Sequence, residues 1–488
     1  MINIINRMTR RGSLLAAYLS LSLVSQAQVV RTPAEPEAFK NIFWSLCVQD
    51  AETGERLVDI RPCHLMTPAS TLKVPTTATA MEVLSPDSRL STRICMRGKI
   101  SNGVLEGDLF IIGGGDPSIG SRHLKSEDRH IFFRKAADAL AAKGISVVKG
   151  DIIAYSPQSY DYQALNPRWL HYDMGNHYAA GAYLLNLFDN SYEVVFSDYG
   201  RRFVHMPTIP GLKLSGAYTY STTRKSDSLY ISMPIGDGGH RLITGVYPAA
   251  VKQLGIRGDI PNPPLFFAQY MSMYIRKRGV THKGKCRTAD TLPSTDMPLL
   301  YEHLSPTIEE LARLTNIHSI NLYAEALLRQ TWIKKRMEEG RNPTQVALHH
   351  SLLYWQGRGL VSGEANVFDG SGLSPENKIT ANYLTSLLGK VYRSDSTHRF
   401  MRTLPLAGKE GTVTSFLKDT PLSGRAYLKS GSIKHVIAYA GYIQTPDGKV
   451  YAVSIMANNF TLRHAEMRKI FEGILLETFG TTLSPVSE

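Results

Sequence analysis

Three short polar motifs hold residue types that together could activate a hydroxyl: Ser70-Thr71-Leu72-Lys73, Ser319-Ile320-Asn321 and Lys429-Ser430-Gly431. A serine hydroxyl is a poor nucleophile until a nearby base takes its proton, and a lysine amine is such a base only while it is neutral. On a helix, residues i and i+3 share a face, so Lys73 can reach Ser70. Holding a lysine neutral near pH 7 costs roughly 4–5 kcal/mol, and burial together with a second cation, Lys429, are the means at hand. The Ser-x-x-Lys spacing alone says little, because Ser415-Phe416-Leu417-Lys418 shares it and a surface helix explains such a pair equally well. By contrast, Ser319-x-Asn321 is the only Ser-x-Asn in the chain, and Lys429-Ser430-Gly431 the only Lys-[Ser/Thr]-Gly.

In this order and spacing, the motifs resemble those of the penicillin-recognising serine enzymes, an arrangement in which the Ser415 pair has no place. The resemblance implies that Ser70 is the nucleophile and Lys73 its base. Ser319 would relay the proton to the leaving amine, and Asn321 would orient Lys73 and the substrate amide. Lys429 and Ser430 would receive a terminal carboxylate, and Gly431 would leave room for the substrate backbone. The amides of Ser70 and Ser432 would form the oxyanion hole.

The chain is more narrowly similar to the type-four, class C low-molecular-mass penicillin-binding proteins, the D-Ala-D-Ala carboxypeptidase and endopeptidase family. The segments Gly107-Asp108-Leu109 with Gly113 to Pro117, Asp369 to Ser374, and Leu404 to Gly408 with Gly411-Thr412 carry that similarity. So does the long stretch between Lys73 and Ser319, where the family places two inserted domains. The resemblance implies an acyl-enzyme on Ser70, peptidoglycan peptides and β-lactams as binding partners, and no cofactor or metal. It also implies that Asp173, with Tyr178 five residues on, pairs with an ammonium group of the stem peptide; an ordinary exposed loop aspartate is the alternative. The chain departs from the pattern at Pro375, where relatives often carry an arginine that helps bind the stem.

These residues need a frame. Phe43 to Val48 alternates as a strand, Glu52 to Glu55 turns, and Leu57 to Ile60 returns, which predicts a hairpin leading into Ser70. Ala438 to Ile443 and Val450 to Met456 predict two more strands, joined at Pro446-Asp447-Gly448, and His464 to Thr478 a terminal amphipathic helix. Strands from the two ends of the chain could then share one sheet. Ser305-Pro306 with Glu309 reads as a helix start, and Leu322 to Lys335 as a second helix, with His318 to Asn321 at the junction. The region from about 85 to 295 is rich in Gly, Tyr and short alternating runs, and reads as inserted β material; its Gly113-Gly114-Gly115 run lacks the ending of a phosphate loop. The expected fold is therefore α/β (α+β), an antiparallel sheet flanked by helices, with two β-rich domains inserted between the Ser-x-x-Lys and Ser-x-Asn motifs. The expected division is a catalytic part over 28–85 and 295–488, a first insert over 86–190 and 250–294, and a second over 191–249.

The formal charge of +13 is spread among carboxylates rather than massed in a stripe, which argues against nucleic acid and leaves peripheral contact with a membrane or an anionic cell wall open. Arg7, Arg10 and Arg11 precede the apolar run Leu14 to Val24, and Ser25-Gln26-Ala27 fits a cleavage site, so residues 1–27 read as a signal for export to the periplasm. Cys47, Cys63, Cys95 and Cys286 lack metal-site spacing, and disulfides stay open. Two other functions compete: a β-lactamase, which needs a deacylating base that no clear Glu-x-x-x-Asn before Lys429 supplies, and a non-catalytic cell-wall binding module, which would not need all three motifs intact. The sequence leaves oligomeric state open.

Overall fold

The computed structural model describes residues 30–125, 129–333 and 342–480. The stretch read as an export signal lies outside them.

Strands drawn from the two ends of the chain form one antiparallel sheet of five, in the order Ala426–Ile433, Val436–Gln444, Val450–Asn458, Phe43–Asp50, Arg56–Ile60. Both faces of its inner strands Val436–Gln444 and Val450–Asn458 are covered, which is why these two read as near-continuous apolar runs. Trp44, Leu46 and Val48 join Val453 and Ile455 in a core that the terminal helix His464–Thr478 closes with Phe471 and Leu475. On the opposite face Cys47, Ala452, Met456, Ala438 and Ala440 pack against helices Lys73–Leu84, Ile308–His318 and Ala381–Ser394. The small residues let the helices approach closely, and each large side chain buried between the layers contributes about 1.5–3 kcal/mol.

Between helices Lys73–Leu84 and Ile308–His318 the chain leaves this frame. A long hairpin, Arg89–Ser101 with Val104–Ile112, turns at Asn102-Gly103, where both residues take the left-handed conformation that such a two-residue turn demands. Parallel strands then add to it, and helices Ile131–Ala142 and Pro263–Lys277 cover it. Asn262 caps the second helix by accepting from the Leu265 amide, with Pro263 at its first position. Sequence reading, guided by the Gly- and Tyr-rich runs, does not anticipate these two helices. Two three-stranded sheets follow within residues 191–259, and their Phe196, Ile243 and Tyr247 share a core with Leu109 and Phe133.

The return is where expectation and structure differ. Leu299–Thr307 stays extended, paired with Arg89–Ser101, so the next helix starts at Ile308, and its cap is Thr307 rather than Ser305. Thr307 and Glu310 form a reciprocal capping box, whereas Ser305 Oγ accepts from the Leu90 amide at 2.9 Å. Strand pairing overrides the earlier cap signal. The following helix, Asn321–Gln330, also stops before the predicted end at Lys335, which lies outside the described residues. The four cysteines are free, with Cys47 and Cys95 buried in different clusters.

Candidate active site

Ser70 sits in a single tight turn, Ala69–Leu72, that runs directly into helix Lys73–Leu84. Two glycines clamp the turn. A Cβ on Gly372, whose φ is +81°, would stand 1.8 Å from the Ala69 carbonyl oxygen. One on Gly431 would lie 2.5 Å from the Pro68 carbonyl oxygen and 3.0 Å from the Ser70 amide nitrogen. Sequence reading assigned the bareness of Gly431 to a passing substrate; the structure gives a nearer cause in the serine's own turn.

Lys73 is fully buried, and its Nζ has three partners: Ser70 Oγ at 3.0 Å, Asn321 Oδ1 at 2.6 Å and the Ser371 carbonyl at 2.6 Å. Burial lowers its pKa to about 7, while the carboxylates of Asp369 and Glu325 hold it up. Burial is thus the larger cause of the shift, where the sequence expectation gave Lys429 a share. A neutral Lys73 can donate to Asn321 and Ser371 and keep its lone pair for the Ser70 proton.

The loop that carries Ser371 is shaped by two buried carboxylates. Asp369 accepts from Trp169 Nε1, the Gly372 and Ser374 amides and Asn377 Nδ2, all at 2.7–2.9 Å. Glu325 Oε1 accepts from the amides of Gly370 and Ser371 at 3.0 and 2.8 Å, which turns the Ser371 carbonyl toward Lys73. Burial, and then Asp369, raise the Glu325 pKa to about 7. Sequence reading missed Glu325; it lies four residues after Asn321, on the same helical face, and that spacing was the available signal.

Ser319 closes helix Ile308–His318 in the left-handed conformation, and Asn321 opens the next helix. This break brings Ser319 to the cavity of about 240 Å³ that Ser70, Ser430, Gly431 and Ser432 also line. Lys429 and Gly431 belong to the edge strand Ala426–Ile433. Lys429 Nζ donates to the Ser430 carbonyl at 2.5 Å, and burial, then repulsion from Lys73, hold its pKa well below that of an ordinary lysine. Ser430 Oγ donates to Thr412 Oγ1 at 2.7 Å.

Asp173 and Tyr178 stand beside this group rather than inside it. The Tyr178 carbonyl accepts from Asn321 Nδ2 at 2.8 Å, and its hydroxyl donates to Asp173 Oδ1 at 2.9 Å and lies 2.8 Å from the Tyr230 hydroxyl. Asp173 is half-buried; burial raises its pKa against the pull of the two tyrosine hydroxyls. At the departure, the Pro375 carbonyl accepts from Lys378 Nζ, and Arg168 arrives from the inserted region to pair with Glu376 at 2.9 Å. Ser415 and Lys418 are exposed, and Ser415 Oγ accepts from Arg468.

A serine turn, a buried lysine and a glycine-bearing edge strand on an antiparallel sheet define the class of penicillin-recognising serine enzymes. Residues 26–476 match the D-Ala-D-Ala carboxypeptidase 3 (S13) family, and the chain belongs to that family. It is 25% identical over 441 residues to the D-alanyl-D-alanine carboxypeptidase of Actinomadura sp. (strain R39), covering 87% of this chain and 79% of that one. It is 23% identical over 421 residues to D-alanyl-D-alanine carboxypeptidase DacB of Haemophilus influenzae, covering 84% of each. The crystal structure of penicillin binding protein 4 (dacB) from H. influenzae superposes with a TM-score of 0.77 at 22% identity, over 91% of this chain and 97% of that one, and shares the fold.

Proposed function

We propose that this chain is a serine D-Ala-D-Ala carboxypeptidase acting on peptidoglycan stem peptides and acylated by penicillins. Ser70 Oγ attacks the carbonyl of the penultimate D-Ala as Lys73 takes its proton. The amides of Ser70 and Ser432 stabilise the oxyanion. Collapse breaks the C–N bond, and the proton passes through Ser319 to the departing amine of the terminal D-Ala. Water then opens the Ser70 ester with Lys73 again as base, which restores the hydroxyl. Asn321 holds Lys73, and Ser430, with Lys429 behind it, receives the carboxylate end. Asp173 takes the distal ammonium of the stem. The same bond in a cross-link would give endopeptidase action. Residues 1–27 direct export to the periplasm, where this substrate lies.

The observation that carries the reading is the 3.0 Å contact of the fully buried Lys73, through its Nζ, with Ser70 Oγ. The experiment is incubation with a fluorescent penicillin, read by intact mass, with Ser70→Ala and Ser415→Ala in parallel. A stable one-to-one adduct lost only in Ser70→Ala supports the reading. Rapid release of opened drug would favour a β-lactamase, and no adduct on the unmutated protein would leave a binding module.

A further inference from the structure

The substrate of the proposed reaction ends in a carboxylate, and the cation set behind Ser430 is poorly placed to meet its charge. Lys429 is fully buried, its Nζ is engaged with the Ser430 carbonyl, and its surroundings disfavour the protonated form. A neutral amine donates hydrogen bonds but supplies no net charge.

The cavity over Ser70 has another basic group on its wall. Arg468, from the terminal helix His464–Thr478, lines it together with Ser430 and Ser432. A guanidinium stays protonated throughout the physiological range and presents a fork that fits a carboxylate. His464, also on the wall, is occupied: its Nε2 lies 3.0 and 3.2 Å from the carbonyls of Ile433 and Val436. Arg468 Nη1 donates to Ser415 Oγ at 2.9 Å, and its buried Nε has no hydrogen-bond partner among the described residues. Glu472, one turn along the helix, is spent on the Leu417 amide at 2.8 Å. Arg468 thus faces the cavity with no carboxylate partner among the described residues.

Its placement is built rather than incidental. Ser430 pairs in register with Tyr439, the Tyr439 ring stacks on Phe416 with centroids 3.9 Å apart, and Phe416 is the neighbour of Ser415. That chain of contacts ties the strand that binds substrate to the serine that holds the arginine.

We infer that Arg468, held by Ser415, reads the terminal carboxylate of the substrate and supplies the positive charge at that end of the site. The inference rests on the carboxypeptidase reading above. It gives Ser415, a serine with the spacing of a nucleophile, a positioning task instead.

The test compares one peptide ending in D-Ala-D-Ala as the free acid and as the C-terminal amide, using the full chain, Arg468→Gln, Arg468→Lys and Ser415→Ala. Loss of a charge-assisted contact should lower kcat/KM of Arg468→Gln on the acid by about 10- to 100-fold, mostly through KM, and on the amide by less than about 3-fold. Arg468→Lys, which keeps the charge, should recover part of the loss, and Ser415→Ala should show a smaller loss of the same kind. Equal losses on acid and amide, or none on either, overturn the inference; so does an Arg468→Lys loss as large as that of Arg468→Gln in a variant with unchanged melting temperature. Penicillin labelling of Ser70 in the unmutated chain separates the two questions: absent labelling sinks the serine mechanism itself, whereas labelling with no acid–amide discrimination sinks only the role of Arg468.

Discussion

Lys73 Nζ and Asn321 Oδ1 stand 2.6 Å apart, although 248 positions separate them in sequence. The amide of Asn321 also donates to the Tyr178 carbonyl, so one side chain ties the buried amine to the inserted region. The buried amine is therefore oriented by a residue that arrives only after the whole insertion has been threaded.

The acylation rate should follow the neutral fraction of Lys73. With a folded pKa of about 7, the rate of penicillin acylation should rise with pH below 7 and flatten above it. The lowered pKa also means that the folded state binds fewer protons than the unfolded chain between about 7 and the ordinary lysine value, so this group makes stability climb with pH across that window. Lys73→Ala should acylate about 10²- to 10⁴-fold more slowly. A flat profile from pH 6 to 8 would remove Lys73 as the base.

Glu325→Gln keeps a carbonyl oxygen to accept from the Gly370 and Ser371 amides and removes a negative charge near Lys73. Since Glu325 holds the Lys73 pKa up, the inflection of the acylation profile should move to lower pH. Stopped-flow acylation across pH reads this directly. An upward move would contradict the electrostatic role of Glu325.

Gly372→Ala sets a Cβ against the backbone at Ala69, from a left-handed backbone position. The cost should be about 1–3 kcal/mol of stability, with loss of acylation because the Ser70 turn must shift. A variant that melts and acylates like the parent would show that the turn tolerates displacement.

Asp173→Asn preserves the partner of the Tyr178 hydroxyl and removes only the charge. If Asp173 binds the distal ammonium, kcat/KM should fall about tenfold for a stem peptide with a free amino group, and stay level once that group is acetylated. Matching losses on both peptides would assign Asp173 to structure.

What the sequence revealed was local. Ser70, Lys73, Ser319, Asn321 and Lys429 stand in short motifs that can be found without the fold. The flanking hairpin is legible by alternation and its turn, and the terminal strands by apolar runs joined at Pro446-Asp447-Gly448. Glu325 has a local hint in its helical spacing from Asn321, but its partners lie in a loop some 45 positions away, and Arg468 meets Ser415 53 positions earlier with no local pattern to mark it. The helix cap moved from Ser305 to Thr307 because a strand partner at Arg89 held the chain extended, which no local pattern records. The role of Asp369 was hidden too, since its partner Trp169 comes from the insertion.

The central sheet sets the order of events in biogenesis. Phe43–Asp50 is made long before Val450–Asn458, yet both its place beside that strand and the contact of Thr67 with Asn458, 391 positions away, wait for it. Closing so long a loop is slow and comes late in folding. The serine turn and the strand that faces it therefore meet only after the stretch through Asn458 has been made, and a nascent chain that stops short of it carries the chemical groups of a hydrolase without being one.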